Sequence, residues 1–340
     1  MRKFLKSWWD GLRYEPGDPR QRAGGIIKIA AIGGGTGLAS VLRGLKSYSN
    51  YISAIVTVTD DGGLSSGKLR EEFDILPPGD IRQCISVLAY DEELISNLLE
   101  YRFHKDNNSL SGHTLGNIWI TALTNYFGSF EKAIEVTSEI FRAAGKVLPA
   151  TLEKIDLCID YVDGESLIGE HNLDELTKKI KEVSLSKKNV RASTKAIEAI
   201  AAADLILIGP GSLYGSVIPN LLIRGIREAV KKNHRAVKIY IANCSTERTQ
   251  TCNYSVSDHI KAVFEHTKTR LFDYCLVNSR VLRRSKDASK LGEINNITTT
   301  KNEMLGVKIV REDVIDSKNP LLHDPQKLAK SLIELYNEKK

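Results

Sequence analysis

The chain has 340 residues, of which 42% are apolar and 26% are charged, with a formal net charge of +6. These values are typical of a globular protein, and because basic and acidic residues are mixed, they favour an anionic small ligand over a nucleic acid. Five cysteines without CxxC spacing argue against a disulfide framework or a cysteine zinc site and fit a cytoplasmic protein. No run reaches ~18 apolar residues, so no integral membrane segment is predicted.

The ends of the chain differ in composition from its middle. Residues 1–24 are predicted to be an N-terminal extension, basic and aromatic but without the apolar region of a secretory signal. Residues 324–340 predict a C-terminal helix with Asp324 as its cap and Pro325 in its first turn. Between them, residues 25–323 are predicted to form one Rossmann-like nucleotide-binding domain.

Residues 26–38, IIKIAAIGGGTGL, predict a buried strand, a tight turn and a helix. Gly33, Gly34 and Gly35 have no Cβ, so their N–H groups can approach a phosphate at the start of the helix. The spacing fails the G-x-G-x-x-G dinucleotide pattern. A turn that only packs the helix on the strand is the alternative.

A second strand, residues 51–60, ends in Asp60 and Asp61. These carboxylates could hold a ribose hydroxyl, or Mg²⁺ beside a phosphate. Alternatively, one caps the turn and the other is solvated. The next residues, GGLSSGKL, miss the P-loop pattern because Leu69 replaces the hydroxyl residue that binds Mg²⁺. Asp80, after the sequence PPG, is predicted to cap the following helix.

The sequence GHTLGN places His113 and Asn117 four residues apart, on one face of a predicted helix. His113 joins Asp60 and Asp61 as a candidate catalytic residue, and Asn117 is a candidate ligand-binding residue. A structural histidine is the alternative. Neither a nucleophile elbow nor an HExxH motif is present to support nucleophilic or transition-metal catalysis.

The second half of the chain contains one interruption in its alternation of strands and helices. Residues 145–192 alternate with period two around an Asp163-Gly164 turn, which predicts an antiparallel hairpin insertion. After it, a third buried strand runs into a second glycine-rich turn at residues 209–212, and two later strands end near Asn243 and Asn278.

The overall pattern predicts an α/β fold, a Rossmann-like doubly wound, mostly parallel sheet with helices on both faces. In such sheets, ligands bind beyond the carboxyl ends of the strands. Five polar or glycine-rich segments follow predicted strands and should therefore share one edge of the sheet: residues 33–37, 60–67, 209–212, 243–246 and 278.

Several of these motifs occur together in one known family. GGGTGL, DDGGLSSGKLR, PPGDIR, GHTLGN, GPGSLYGSVIPNLL and SDHI resemble the bacterial gluconeogenesis factor family over about residues 26–320. That family is related to the 2-phospho-lactate transferases of coenzyme F420 synthesis. The resemblance implies a cytoplasmic protein that binds UDP-sugars such as UDP-N-acetylglucosamine and is linked to cell shape and growth on gluconeogenic carbon. The related transferases use Mg²⁺ and a guanylylated phospho-lactate.

The resemblance also assigns roles to residues of this chain. It implies diphosphate contacts from the two glycine turns, a metal or ribose site at Asp60 and Asp61, a contact near the base from Asn278, and further ligand contacts from Asn243 and Lys301. The residues of the turns and of the late positions are Gly34, Gly35, Thr36, Gly37, Gly211, Ser212, Asn243, Asn278 and Lys301. Lys301 stands where the family usually has arginine, and it lacks the bidentate fork of that side chain.

Two functions follow as hypotheses. The first is a regulatory protein that binds a nucleotide sugar without turnover. The second is an Mg²⁺-dependent transferase that moves a phospho-lactate-like group from a nucleotide diphosphate to an acceptor. Both imply a nucleotide ligand and no nucleic-acid partner, and a homo-oligomer is compatible with either.

Overall fold

The computed structural model describes residues 27–61, 63–104, 109–175, 178–280 and 296–340. The predicted extension, residues 1–24, lies outside these ranges. The strands are β1 (Ile29–Gly33), β2 (Ile52–Val56), β3 (Lys146–Pro149), β4 (Leu157–Tyr161), β5 (Ser166–Ile168), β6 (Ile180–Leu185), β7 (Leu205–Ile208), β8 (Val237–Ile241), β9 (Tyr274–Asn278), β10 (Glu303–Met304) and β11 (Val307–Glu312).

The main sheet has eight strands in the order β10-β11-β9-β8-β7-β1-β2-β3. Every neighbouring pair is parallel except the edge pair β10–β11. All five residues of β1 are buried, as expected for a strand covered by helices on both faces. The predicted Rossmann-like, mostly parallel sheet is confirmed.

The described helices lie between the strands, except the last, which follows β11. They are α1 (Gly35–Leu45), α2 (Lys68–Glu72), α3 (Gly79–Leu88), α4 (Glu92–Glu100), α5 (Leu115–Phe127), α6 (Phe130–Ile140), α7 (Asn172–Glu175), α8 (Thr194–Ala202), α9 (Ile218–Leu222), α10 (Arg224–Lys232), α11 (Val256–Thr267) and α12 (Pro325–Lys339). Two π-helical turns, Gly63–Gly67 and Leu213–Val217, lead directly into α2 and α9. Among the described residues, no helix combines the length and apolar character needed to cross a membrane.

The antiparallel insertion forms a separate three-stranded sheet in the order β5-β4-β6. The turn between β4 and β5 contains the predicted Asp163-Gly164 pair, and Tyr161 donates its amide hydrogen to the carbonyl of Glu165. The start of the insertion differs from the prediction. β3, at residues 146–149, pairs in parallel with β2 and belongs to the main sheet, because period-two alternation cannot tell an antiparallel strand from a half-covered parallel edge strand.

The C-terminal helix α12 packs against α1. Asp324 caps it, as predicted, by accepting hydrogen bonds from the amides of Gln326 and Lys327. A Cβ on Gly44 would overlap the carbonyl oxygen of Pro325 and lie 2.8 Å from the Cβ of Ala329. The glycine therefore permits the close approach of the two helices.

We expect Gly44→Ala to lower the free energy of unfolding by about 1–3 kcal/mol, the usual effect of overpacking a filled contact. Alanine favours a helix over glycine by ~1 kcal/mol, so any loss must come from the contact with α12. Urea denaturation measures the change, with Asn97→Ala on the exposed face of α4 as the control. A Gly44→Ala protein more stable than the parent would contradict the packing argument.

Candidate functional site

The two glycine-rich turns lie against each other at the carboxyl ends of the central strands. β1 and β7 are parallel neighbours, and β2 lies on the other side of β1, so the strand order reverses here. A Cβ on Gly37 would be 2.7 Å from the carbonyl oxygen of Pro210, and one on Gly211 would be 3.2 Å from that of Gly34. The predicted juxtaposition of the turns is confirmed, and it lies where doubly wound folds bind ligands.

The first turn presents the N-terminus of α1. Gly34 is extended, whereas Gly35 has a φ of +58°, which a β-branched residue would adopt only with strain. No hydrogen-bond partner for the amides of Thr36 and Gly37 is found in the part of the chain that the structure describes. These amides and the helix dipole form an anion-attracting end of an 11-residue helix.

An internal carboxylate already contacts this turn. Oδ2 of Asp80 accepts a hydrogen bond of 2.8 Å from the amide of Gly35, and a Cβ on Gly34 would lie 2.5 Å from the same oxygen. The predicted cap is therefore wrong: α3 begins at Gly79 with Pro78 as its N-cap, and Asp80 lies in the first turn. Its side chain serves a neighbouring turn and not its own helix.

Asp80 shares its surroundings with Asp60. Burial, followed by the negative charge of Asp60, raises the pKa of Asp80 to about 6, against the lowering effects of the Gly35 amide and Arg82. Oδ2 of Asp60 lies 3.5 Å from the position that a Cβ on Gly79 would occupy. The carboxylates of Asp60, in the loop after β2, and Asp80, in the first turn of α3, thus face one region beside the start of α1.

The side chain of Asp61 contacts a different part of the protein from that of Asp60. Its Oδ1 accepts a hydrogen bond of 3.1 Å from the amide of His171 and lies 3.1 Å from Nδ1 of that residue. The sequence grouped Asp60 with Asp61 in one metal site, which stays a prediction; in the structure Asp61 contacts His171, whereas Asp60 lies close enough to Asp80 to raise its pKa. Both residues lie in the loop beyond the end of β2, where contacts with other segments set the direction of each side chain. Among the described residues, no cluster of three or more His, Cys, Asp or Glu side chains is arranged for a metal.

The polar groups of the second turn have partners within the protein. Asn243 pairs with both sides of the Gly211 backbone, accepting from its amide at 3.1 Å and donating to its carbonyl at 3.0 Å. Ser212 caps the π-helical turn by accepting from the Gly215 amide at 2.9 Å, and its hydroxyl donates to Gln250. Asn243 and Ser212 therefore shape this loop, and direct ligand contact by them stays a prediction.

The two late residues lie far from the glycine turns. Asn278 is buried at the end of β9, where its side chain bonds to the backbone of Arg280. Three strand positions separate β9 from β1, a distance of ~14 Å at the usual spacing. Lys301 is exposed and lies further out, just before β10 at the edge of the sheet. A ligand that contacts both turns and Asn278 must extend across several strands.

The GHTLGN segment joins the site through Ser65. α5 begins at Leu115 with Thr114 as its N-cap, so His113 precedes the helix and the predicted shared helix face is wrong. Oγ of Ser65, in the turn that follows Asp60, accepts from the Thr114 amide at 3.2 Å and from Nδ2 of Asn117 at 3.0 Å. His113 and Asn117 are both buried.

The tip of the antiparallel insertion reaches the same edge. His171 bonds to Asp61 after β2, and a Cβ on Gly215 after β7 would overlap the carboxylate of Glu170. No sequence pattern pointed to Glu170 or His171, and the pattern around Asp80 indicated only a capping role. Asp80 could have been suspected because an acidic residue after PPG also suits the first turn of a helix.

Comparison with known proteins identifies relatives of this chain. A family model described as 2-phospho-L-lactate transferase CofD matches residues 29–315. The gluconeogenesis factor of Bacillus subtilis is 40% identical over 316 residues, which cover 92% of this chain and 98% of that protein. The chain belongs to the gluconeogenesis factor family. The family's member from Halalkalibacterium halodurans is 40% identical over 310 residues, 90% of this chain and 95% of that protein.

A solved structure agrees with this assignment. The crystal structure of a UPF0052 family member from Bacillus halodurans superposes with a TM-score of 0.85 at 38% identity, covering 92% of this chain and all of that one. The gluconeogenesis factor family and the CofD-like fold that the sequence motifs suggest are therefore confirmed.

The raised pKa of Asp80 gives a pH dependence with a definite sign. The folded state binds this proton more tightly than the unfolded chain, whose pKa is near 3.8, so stability falls as the pH rises from about 4 to about 6. Two pKa units correspond to about 3 kcal/mol. We expect Asp80→Asn, which keeps an oxygen acceptor for Gly35, to be more stable than the parent above pH 6 and equal to it below about pH 4.

Urea denaturation at pH 4, 5, 6 and 7.5 tests this expectation, with Glu93→Gln on α4 as the control that should follow the parent. A constant difference between Asp80→Asn and the parent at every pH would show that the Asp80 carboxyl is not destabilised by its surroundings.

Proposed function

We propose that this chain binds the diphosphate of a nucleotide sugar at the start of α1, with a divalent cation between the ligand and the pair Asp60 and Asp80. The observation that carries the proposal is the Asp80 carboxylate at the Gly35 amide. A carboxylate there marks an anion-binding helix end, and the neighbouring Thr36 and Gly37 amides are oriented for further oxygens.

The charges argue for the cation. A diphosphate that approaches this turn meets the carboxylates of Asp60 and Asp80, whose mutual repulsion contributes to the raised pKa of Asp80. Two carboxylates with a phosphate are the donor set that Mg²⁺ prefers, because this ion keeps several waters and needs few protein ligands. Mg²⁺ would neutralise charge on the phosphates. The residues present therefore fit the ion.

The order of the strands indicates how the ligand is oriented along the edge of the sheet. The diphosphate lies at the junction of β1 and β7 in this proposal, and the base extends across β8 towards β9, where Asn278 ends its strand. Asn243 holds the Gly211 turn in place along this path. In this proposal, an elongated ligand lies along the edge at which polar residues follow β7, β8 and β9.

The biological role that we propose is regulation of carbon metabolism and, with it, cell shape, through binding of a nucleotide sugar. Relatives at 40% identity carry the name gluconeogenesis factor. Their name supports the metabolic part of the proposal.

The matching family model supports a second function, transfer of a phospho-lactate-like group. An acceptor hydroxyl would form a bond to the distal phosphorus of a nucleotide-activated donor, and the phosphoanhydride bond would break to release a nucleoside monophosphate. Chromatographic detection of Mg²⁺-dependent monophosphate release, with candidate acceptors present, separates the two functions. Tight nucleotide binding without any release of monophosphate would exclude the transferase and support regulation by binding.

We expect Asp60→Asn and Asp80→Asn each to weaken Mg²⁺-dependent binding of UDP or GDP by about 100-fold, equivalent to ~2.8 kcal/mol. Each substitution removes a negative ligand of the cation while it keeps the shape of the side chain. Isothermal titration calorimetry with and without Mg²⁺ measures the effect, and Asp163→Asn in the distant β4–β5 turn is the control.

Asp61→Asn decides between the two pairings of carboxylates. We expect it to leave the Mg²⁺ dependence in place, because Asp61 bonds to His171. A loss as large as that of Asp60→Asn, with Asp80→Asn unaffected, would restore the adjacent pair as the metal site. Nucleotide binding that is equal with and without Mg²⁺ would contradict the role of the cation.

A further inference from the structure

Helix α4 presents apolar side chains to solvent. Leu94 and Leu98, one turn apart on the helix, are 60% and 44% exposed, and Tyr101, which follows the helix, is 50% exposed. Helix α5 packs beside α4, and its last turn exposes Tyr126 and Phe127. Single exposed apolar residues are common, but several on two neighbouring helices are typical of a surface that another segment covers.

The exposed face of α4 has acidic surroundings. Residues 91–100, DEELISNLLE, contain four acidic residues and no basic one. Glu92 and Glu100 have basic partners within the fold. Asp91 and Glu93 are exposed, and no ion pair to either is found within the described ranges. A segment that fits this face should therefore be apolar on one side and carry positive charge.

The chain supplies such a segment in its N-terminal extension, residues 1–24. The extension contains six basic and three acidic residues. Residues 4–12, FLKSWWDGL, have apolar side chains at positions 4, 5, 8, 9 and 12, the spacing of one apolar face of a helix, and Lys6 and Arg13 fall outside that face. The match to the family model starts at residue 29, so this segment lies outside the shared fold.

The described part of the chain starts close to the beginning of α4. Oγ of Ser49 donates a hydrogen bond of 2.7 Å to the carbonyl of Ile27. Lys46, three residues before Ser49, bonds to Glu92, the first residue of α4. Three residues span at most about 10 Å of chain. The extension therefore joins the fold beside the start of this helix.

The lengths of the segments also agree. Residues 13–26 can span up to about 45 Å when extended, which is enough to follow the whole of α4. Helix α4 has nine residues and is therefore about 14 Å long. Residues 4–12 would cover about the same length as a helix. No other segment is needed to bridge the two.

We propose that residues 4–12 dock on the apolar face of α4 in the same molecule and cover Leu94 and Leu98. The basic side chains of the segment then lie near Asp91 and Glu93. Burial of the two leucines against the tryptophans of the extension supplies the driving force. Because the segment is tethered beside α4, its effective concentration is high, and a contact too weak to join separate molecules is sufficient.

Tryptophan fluorescence of the full chain tests this contact. The chain has three tryptophans, at positions 8, 9 and 119, so Trp119→Phe leaves the extension as the source of the signal. In this parent, we expect blue-shifted emission and weak quenching by acrylamide, with a monomer by light scattering. Leu94→Lys combined with Leu98→Lys should expose the tryptophans, because each change lowers the docking equilibrium constant by about tenfold or more, the effect of losing one buried leucine.

Ile168→Lys is the matched control. This similarly exposed side chain lies on β5 of the separate sheet, so its replacement should keep the tryptophans protected. Phe4→Ser combined with Leu12→Ser changes the other side of the contact and should also expose the tryptophans. Because these two residues lie outside the family match, this variant keeps the test decisive where the α4 variant fails to fold.

Each outcome decides the proposal. Tryptophans that are accessible in the parent, or protected tryptophans that the α4 variant leaves unchanged, overturn it. Protection that disappears on dilution together with a dimer assigns the face to a second copy and overturns docking within one molecule. Protection that requires phosphatidylglycerol vesicles assigns the extension to a membrane surface and also overturns it. Protection in the monomer that both double variants remove and Ile168→Lys retains supports the docking.

Discussion

The hydrogen bond between the Gly35 amide and the Asp80 carboxylate joins the turn after β1 to helix α3, and the rest of the edge is arranged around it. Because Gly34 has no side chain, the carboxylate can reach the backbone of the turn. The same contact places Asp80 beside Asp60, and the burial and repulsion that raise its pKa are an energetic cost of that placement. Groups held at such a cost are typical of binding sites.

Around this contact, the loops divide into those that shape the site and those that remain available to a ligand. The second glycine turn is held by Asn243 and capped by Ser212, so its polar groups serve the fold. The Thr36 and Gly37 amides and Oδ1 of Asn117 differ, since no hydrogen-bond partner for them is found among the described residues. The insertion contributes its tip through the contact of His171 with Asp61.

Stability and binding make opposite demands on Asp80. The raised pKa of Asp80 means that its charged form destabilises the folded state near neutral pH, whereas asparagine would keep the hydrogen bond to Gly35 without that cost. The proposed cation explains this choice, because only the charged side chain is a strong ligand for it. The buried Asn117, whose Oδ1 has no partner among the described residues, is a neutral group of the same kind. Both positions break the rules that govern an ordinary core, as functional positions commonly do.

Local sequence patterns were sufficient for the parallel sheet, the strand–turn–helix at residues 26–38 and the cap at Asp324, since apolar period and turn chemistry act over a few residues. They also predicted that the two glycine turns would share an edge, because parallel strands order their ends. The pairing of Asp60 with Asp80, the separation of Asp61, the helix start after His113 and the reach of the insertion to Asp61 depended on contacts between distant segments. Side-chain direction and long-range packing decide such contacts, and no local pattern encodes them.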